Sequence, residues 1–539
     1  MLCKVIAASA ISLLALASPA QEQHGTAWKL GKAHFATSCN PPAQKEFDRA
    51  VALLHSFQFS SAIQGFDTAL KNDPSCGIAD WGIALSQWSN PFAVGMKDQS
   101  QLEAGRASAA QGMATGAKTE REQAYILAVA NLYRDFENTS QQARMAAYRD
   151  AMGQMTQKYP DDHEAQIFYA LALAATDEPT DKTYAARRQA GAILEKLFRE
   201  EPDHPGLAHY IIHTYDVPPL AEKALKAAQR YSKIAPDVPH ALHMPSHTFT
   251  RVGYWQNSID SNVAAAAASR REGQSAEELH ASDYMEYAYL QTGQDKAARQ
   301  VVESVPDMAA RFDPKIVIGG AAGPSAAYFA MAAIPARYAL EHEDWKQAIE
   351  LQPRETSFLY TDATTWFARG MGAAHLHDGA KVQASMAALE DLQARLVKAN
   401  EHYWAGQVEI QRLEVNAWQL FVEGRKTMAL STMNSAAELE DGTEKSAVTP
   451  GPIAPARELL GEMLLEMNQP KQALGQFTLT LKKEPNRFRA LYGAASAAQL
   501  SGDMGASRKY FGELLKQCSH ADKPGRAELI TASKVLSRN

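Results

Sequence analysis

Apolar residues recur along most of this chain every three to four positions, which is the spacing of amphipathic α-helices. Two examples are EQAYILAVANLYRDF, which begins at Glu122, and ARMAAYRDAMGQMTQKYP, which begins at Ala143. No segment shows the alternation of apolar and polar residues that is typical of a half-buried strand. The pattern therefore predicts an all-α protein.

The helical segments also repeat. APARELLGEMLLEMNQPKQALGQFTLTLKKEP, from Ala454, carries a Leu460-Gly461 pair, a small Ala473, an aromatic Phe477 and a closing Pro485. This unit resembles a tetratricopeptide repeat, in which small residues let two antiparallel helices approach and proline ends the second helix. Similar landmarks predict units that open near residues 43, 205, 239, 279, 329, 365, 410 and 488. The predicted architecture is a helical-repeat solenoid, a superhelix of antiparallel helix pairs.

Longer stretches extend the resemblance over residues 30–518. They include FATSCNPPAQKEFDRAVALLHSF, HPGLAHYIIHTYDVPPLA and PHALHMPSHTFTRVGYW. Through them the chain is similar to a family of exported bacterial tetratricopeptide-repeat proteins without an established activity. The resemblance implies a fold and an exported protein, and repeats of this kind imply that a protein or peptide binds in the concave groove.

The repeat landmarks divide the chain into predicted sections. Residues 21–42 form an N-terminal segment, 43–160 the first helical repeats, and 161–320 the central repeats that carry the histidine cluster. Residues 321–445 form further helical repeats, and 446–539 a C-terminal repeat pair with a tail. At 539 residues, of which 46% are hydrophobic, the chain is long enough for such an array.

Charge gives little information about partners. The formal net charge is −7, and no basic cluster or polybasic run is present in the sequence. Nucleic-acid binding normally needs a concentration of Lys and Arg on one surface. We therefore expect no nucleic-acid partner.

The N-terminus has the composition of an export signal. Lys4 is followed by an apolar run from Val5 to Ala17, and then by the small residues Ser18-Pro-Ala20. The run is too short to span a bilayer, so residues 1–20 are predicted to be a cleaved signal peptide. We expect a periplasmic or secreted protein whose mature chain has no transmembrane segment.

Cleavage would leave Cys39, Cys76 and Cys518. In an oxidising compartment, Cys39 and Cys76 are predicted to pair because they flank the first helical hairpin. Such a disulfide would stabilise the fold by about 3–4 kcal/mol through loop-closure entropy. The sequence contains no Cys-x-x-Cys motif, so it does not indicate cysteine-based catalysis.

A His-x-x-x-His pair occurs twice, as His209/His213 and as His243/His247, with an offset equal to the repeat length. Residues four apart share a helix face. In the repeat register each pair occupies the fifth and ninth places of a first helix, which face the concave groove. The four histidines are therefore predicted to lie on one wall of the groove.

Neighbouring helices sit roughly 8–10 Å apart, so four imidazoles on adjacent helices can approach a single point. We predict a metal site formed by His209, His213, His243 and His247, with Asp283 as a further ligand. His240, His280 and Asp216 fall at other groove-facing places and are candidate neighbours, of which His280 could complete the shell instead of Asp283. Imidazole ligands suit zinc, copper or iron, and the sequence does not choose among them.

Two features weigh against a metal. Duplication of one repeat could have copied a structural histidine pair, and Pro245 between His243 and His247 could kink the helix. Arg337 and Arg369 also fall at groove-facing places, where they could meet an acidic ligand or pair with nearby carboxylates.

Two functions remain open at this level. The favoured one is an exported binding scaffold whose concave groove takes a protein segment, with the histidines as polar contacts or a structural metal site. The alternative is a metal-dependent enzyme, a hydrolase or an oxidoreductase, in which an open metal position activates water or dioxygen. An enclosed pocket would favour the enzyme, and a broad open groove would favour the scaffold.

Overall fold

The computed structural model describes residues 28–93, 97–178 and 180–537. The predicted signal peptide at residues 1–20 lies outside these ranges. Every regular element of the described residues is helical, which confirms the prediction of an all-α fold.

The first half of the chain forms fourteen α-helices, joined in places by short 3₁₀ turns at Asn131–Tyr133 and Ala221–Ala224. They are α1 (Pro41–His55), α2 (Phe59–Asn72), α3 (Ile78–Trp88), α4 (Gln99–Thr115), α5 (Glu120–Ala130), α6 (Gln141–Lys158), α7 (His163–Ala175), α8 (Ala185–Glu200), α9 (Pro205–Thr214), α10 (Leu225–Ile234), α11 (Pro239–His243), α12 (Pro245–Arg251), α13 (Trp255–Arg271) and α14 (Ser275–Gln291).

The second half continues the same arrangement. Its helices are α15 (Asp295–Arg311), α16 (Pro324–Glu341), α17 (Trp345–Glu350), α18 (Leu359–His375), α19 (Gly379–Lys398), α20 (His402–Val422), α21 (Lys426–Asp441), α22 (Ala456–Glu466), α23 (Pro470–Lys483), α24 (Phe488–Leu500), α25 (Met504–Gln517) and α26 (Ala527–Ser537).

Successive helices pack side by side as the repeat pattern predicts. The pair α22 and α23 shows why. A Cβ atom at Gly461 would lie 2.8 Å from a ring carbon of Phe477, so only glycine lets the two helices come this close. Proline occupies the first turn of α9 and of α11, where its missing N–H removes no helical hydrogen bond. The helical-repeat architecture is thus confirmed.

The apolar core is divided along the chain. One cluster of buried residues extends from Leu30 to Phe249, and another extends from Phe329 to Ala497. The first crosses residue 160, which was the predicted end of the N-terminal repeats. Helices α13 to α15 lie between the two clusters in sequence, and they contribute to smaller clusters. The predicted section boundaries remain predictions.

Cys39 and Cys76 form a disulfide that joins the segments preceding α1 and α3. Cys518 is a buried free thiol. Among the described residues, no helix is both long enough and apolar enough to cross a membrane.

Candidate metal centre

Six buried histidines form two adjacent triads. His209, His213 and His240 make up the first triad, and His243, His247 and His280 make up the second. Within each triad, one ring nitrogen from every residue lies within 4.8 Å of the other two. Rings of the two triads come within 6.0 Å of each other, measured between centroids, at His213 and His247 and at His240 and His243.

Four helices supply these rings. Helix α9 carries His209 and His213 one turn apart, and α14 supplies His280. His240 and His243 lie on α11, whereas His247 follows on α12. Pro245 does separate α11 from α12, but Met244 between them keeps helical angles (φ −54°, ψ −35°), so His247 stays one turn beyond His243.

The spacing of the nitrogens matches that of metal ligands. The Nε2 atoms of His209 and His240 are 3.1 Å apart, and so are those of His243 and His247. Two nitrogens bound to one tetrahedral metal ion at about 2.0–2.1 Å are separated by about 3.3 Å. Each triad can therefore hold one ion with little rearrangement.

The opposite ring nitrogens are fixed by acceptors. Nδ1 of His209 donates to the carbonyl oxygen of His55 (2.6 Å), and Nδ1 of His243 donates to Oδ1 of Asn262 (2.6 Å). Nδ1 of His247 lies 3.1 Å from the Asp216 carboxylate. The Asn262 amide is oriented by its own donation to the carbonyl oxygen of Ser258. This arrangement is the outer shell typical of metal-binding histidines.

The proton positions on His243 and His247 determine how these two rings meet in the second triad. A neutral imidazole that carries its proton on Nδ1 has a bare lone pair on Nε2. The acceptors Asn262 and Asp216 favour the tautomer with the proton on Nδ1 in both His243 and His247, and this tautomer leaves two Nε2 lone pairs facing each other at 3.1 Å. Two lone pairs at this distance repel each other unless a cation lies between them.

Three further nitrogens lack partners. Nε2 of His213, Nδ1 of His240 and Nδ1 of His280 are buried and make no hydrogen bond within the described part of the chain. A buried polar atom without a partner costs about 1–3 kcal/mol. Two of these atoms belong to the first triad and one belongs to the second. A metal ion in each triad would give a partner to those that face it.

The centre is enclosed. A cavity of about 40 Å³ is lined by His213 and His240 from the first triad and by His247 and His280 from the second. Its other walls include Phe92, Ala321 and Ala447. Since one water needs about 10–15 Å³ of such space, the cavity has room for about three waters or a molecule of that size.

Burial keeps the imidazoles neutral. It lowers the pKa of His247 to about 4, although Asp216 opposes the shift, and it lowers the pKa of His280 to about 3. It also lowers the pKa values of His209, His213 and His243 well below the usual range. Neutral imidazole is the form that binds metals.

A third cluster lies beside the first triad. Glu164 accepts hydrogen bonds from Nε2 of His55 (2.8 Å) and from Nε2 of His204 (3.1 Å), and all three residues are buried. Burial favours the neutral acid, but the two histidines prevail and lower the pKa of Glu164. In this cluster the carboxylate accepts from one nitrogen of each histidine, whereas Nδ1 of His204 makes no hydrogen bond within the described residues.

The structure thus brings all four predicted histidines into the centre but groups them differently. Each pair lies with a third histidine from elsewhere in the helical array, His240 of α11 for the first pair and His280 of α14 for the second. His240 and His280, predicted as neighbours, are members of the triads. Asp216 lies behind His247, where it also binds Arg251 and Lys445.

Asp283 is not in either triad. It forms a buried ion pair with Arg337, so its carboxylate is turned away from the histidines. Arg337 is fully buried in that pair and does not face a groove. Arg369 lies apart from the histidines, where it donates to the carbonyl oxygen of Leu351 and covers the ring of Trp366.

Sequence reasoning missed the residues that surround the triads. Asn262, Tyr284, Phe57 and the His55 carbonyl come from helices or turns whose proximity the repeat pattern does not indicate. Tyr284 donates to the carbonyl oxygen of Thr449 (3.0 Å) and packs against both His243 and His247. Phe57 packs against His209 at 4.4 Å between ring centroids.

Comparison with known proteins adds little to this centre. No protein-family model and no curated protein matches the chain. The human IFIT1 dimer with m7Gppp-AAAA aligns with 90% of this chain and 96% of that chain, at 11% sequence identity and a TM-score of 0.37. An IFIT1 monomeric mutant with Gppp-AAAA aligns with 90% and 98%, at 10% identity and a TM-score of 0.36.

Structural similarity as low as this gives no information about the ligands of this chain. The expectation that this chain has no nucleic-acid partner therefore stays a prediction.

Proposed function

We propose that the two histidine triads bind a pair of transition-metal ions and that the protein is a metal-dependent oxidoreductase. The observation that carries this proposal is the 3.1 Å separation between Nε2 of His243 and Nε2 of His247 in a buried site, with Nδ1 of both rings beside hydrogen-bond acceptors. The unpartnered nitrogens of His213 and His280 support it from both triads. A metal ion in each triad resolves all of these contacts together.

The donor set favours copper. All six candidate ligands are imidazoles, and no carboxylate belongs to either triad. Two doubly charged ions would bring four positive charges into a buried site in which, among the described residues, Asp216 and Glu277 are the carboxylates that contact triad histidines. Copper(I) brings half that charge, accepts three nitrogen ligands, and copper heads the affinity order for nitrogen sites.

The enclosed cavity favours redox chemistry on a small molecule. Three protein ligands leave a position open on each ion, and the metal would supply electron transfer to a molecule bound there. The cavity of about 40 Å³ fits a molecule of the size of dioxygen. Hydrolysis would need a general base beside the bound water, and no carboxylate lines this cavity.

Metal analysis tests the centre. Protein isolated after growth with added copper is expected to hold about two equivalents. His213→Ala and His280→Ala should each remove about one, and the double variant both, because each triad loses a ligand. His402→Ala, at an exposed histidine on α20, is the matched control. Less than about 0.2 equivalent of any transition metal in the wild type would refute the proposal.

Oxygen uptake tests the chemistry separately. Copper-loaded protein with ascorbate as reductant should consume dioxygen in an oxygen electrode, and the double variant should not. Two bound equivalents without oxygen uptake would keep the metal centre and remove the oxidoreductase. If the isolated protein contains zinc, the metal centre is likewise kept and the oxidoreductase proposal is removed.

We further propose that the protein is exported. The Cys39–Cys76 disulfide supports this, because disulfides persist mainly outside the cytoplasm. N-terminal sequencing of the mature protein should begin near Gln21. A mature chain that still begins at Met1 would contradict cleavage.

The scaffold alternative has one specific surface in its favour. An open groove of about 670 Å³ lies between α4, α5 and α6, where Met113 and Leu127 are exposed and Arg106 and Lys158 stand at the edge. It lies away from the histidines. A protein partner that Leu127→Glu abolishes and His213→Ala does not would support a scaffold function there.

A further inference from the structure

A second enclosed cavity lies behind the wall of the histidine cavity. It measures about 60 Å³ and is bounded by α16, α18, α20, α21 and the segment that follows α21. Residues 445–451 of that segment separate the two spaces. Ala447 and Val448 line the histidine cavity, whereas Lys445 and Thr449 line the second one.

The second cavity has an acidic wall. Glu414, Glu440, Glu444 and Glu484 all line it. Glu414 and Glu484 are almost fully buried, and Glu440 is buried with a slightly larger exposed fraction. Burial raises the pKa of Glu440 to about 7 and raises that of Glu414 well above its usual range, in part because each lies near another carboxyl group. Glu414 and Glu440 therefore lie where the negative charge of a carboxylate is not balanced by a paired positive charge.

The basic residues at this cavity are engaged elsewhere. The ammonium group of Lys445 and the guanidinium of Arg251 both bind Asp216, at 3.1 and 2.8 Å. The ammonium group of Lys483 donates to the backbone carbonyl of Glu440 (2.8 Å). None of these three cations makes an ion pair with a glutamate of the cavity.

Polar atoms without partners also occur at the cavity wall. Oε1 of Glu414, Oε1 of Gln411 and Oε2 of Glu484 accept no hydrogen bond within the described chain. These oxygens belong to residues from two different helices and lack any donor. A buried acceptor in this state calls for a donor from water or from a ligand.

Aromatic side chains form the opposite wall. Tyr360 and Trp404 stack with ring centroids 3.7 Å apart, and Phe329 and Tyr403 stand beside them. Aromatic faces attract cations by about 0.5–2 kcal/mol, the larger value when the cation is desolvated. Acidic acceptors on one side and aromatic faces on the other make a suitable environment for an organic cation.

We propose that this second cavity binds a small protonated aliphatic amine, whose ammonium group lies at Glu414 and whose carbon chain packs against Tyr360 and Trp404. The ammonium group supplies three donors to acceptors that lack them, together with a positive charge beside Glu414, whose Oε1 has no partner within the described residues. The site does not depend on the metal centre, although a bound amine would lie one backbone segment away from it.

Titration with n-butylamine and with 1-butanol at pH 7.5 tests this site, because the two probes share a shape and differ in charge. Isothermal titration calorimetry should show that the amine binds at least about tenfold more tightly than the alcohol, which corresponds to about 1.4 kcal/mol. Trp404 lines the cavity, so its fluorescence should respond as well.

Glu414→Gln should weaken amine binding at least tenfold and leave alcohol binding unchanged, because the shape is kept and the charge is lost. Glu438→Gln, at an exposed position on α21, is the matched control and should bind as the wild type does. Glu484→Gln provides a second variant if Glu414→Gln folds poorly by circular dichroism. Repeating the titration after chelator treatment separates this site from amine coordination to a metal, and the binding should persist.

Equal affinity for the amine and the alcohol would overturn the proposal, because the cavity would then be only an apolar space. The same holds if neither probe binds, if both Glu variants bind the amine as tightly as the wild type, or if binding disappears after chelation.

Discussion

Two regions of buried histidines lie side by side in this protein and differ in one component. The third cluster, His55, Glu164 and His204, contains a carboxylate that accepts from both rings. The two triads contain only imidazoles, and in the second triad two Nε2 atoms lie 3.1 Å apart. Both regions are buried and both contain ring nitrogens without a hydrogen-bond partner, so neither property separates them. What distinguishes them is the presence of a carboxylate between the rings.

This contrast predicts opposite responses to loss of metal and to loss of the carboxylate. If the triads are metal sites, their stability depends on an ion, whereas the third cluster is stable by itself. Four measurements test this comparison, and chelation is expected to have the largest effect of the four.

Chelation should have the largest effect. A ligand present at 100 times its Kd stabilises the folded protein by about 2.7 kcal/mol per site, so two filled sites amount to about 5 kcal/mol. Urea unfolding of metal-loaded protein with and without a chelator measures this difference. The His213→Ala/His280→Ala double variant is the control, and its unfolding should not respond to the chelator. An equal response of both proteins would place the metal elsewhere.

Glu164→Gln should cost nearly as much, but without any loss of metal. Removal of one partner of a buried charged pair typically costs about 3–5 kcal/mol, and an amide nitrogen in place of the carboxylate would face a histidine donor. Urea unfolding gives the cost, and metal analysis should still find two equivalents. If the variant loses one equivalent instead, the third cluster is itself a metal site, and the contrast between the two regions disappears.

Asn262→Leu should have an intermediate effect that is confined to the second triad. The amide holds Nδ1 of His243, and loss of such an outer contact typically lowers metal affinity 10–100-fold. Competition with a chelator of known affinity should show one weakened site and one unchanged site. Weakening of both sites to the same extent would indicate that the triads do not bind independently.

His213→Leu should have the smallest effect on the metal-free protein. The substitution removes a buried nitrogen that has no partner, so the free energy of unfolding without metal should change by about 1 kcal/mol or less. The metal content should nevertheless fall by about one equivalent. A loss of several kcal/mol without metal would show that the ring of His213 is structural, as the Glu164 cluster is.

Much of the fold was predictable from the sequence, because repeat spacing is a local property. The positions of Gly461 and Phe477 indicate helix packing, and Pro205 and Pro239 mark the starts of α9 and α11. All six triad histidines were also identified from their places in the repeat. Repeat spacing suggested that the two pairs meet each other, whereas the structure places each pair beside a histidine from another helix.

Asp283 shows the limit of that reasoning. Its place in the repeat register matches that of a groove-facing residue, but Arg337 on α16 comes close enough to pair with it. The register of a repeat describes one helix pair, whereas an ion pair is decided by whatever helix lies opposite. No local pattern at Asp283 reports the presence of Arg337.

The sequence by itself determined that the chain is helical, where helices such as α9 and α11 begin, and that six histidines fall at groove-facing places of successive repeats. These properties follow from spacing within about one or two turns. Only the tertiary structure decided which three rings meet, because each triad combines rings from different helices. It also decided that the centre is closed, since Phe57, Phe92 and Ala447 come from distant parts of the chain, and such contacts leave no periodic signal.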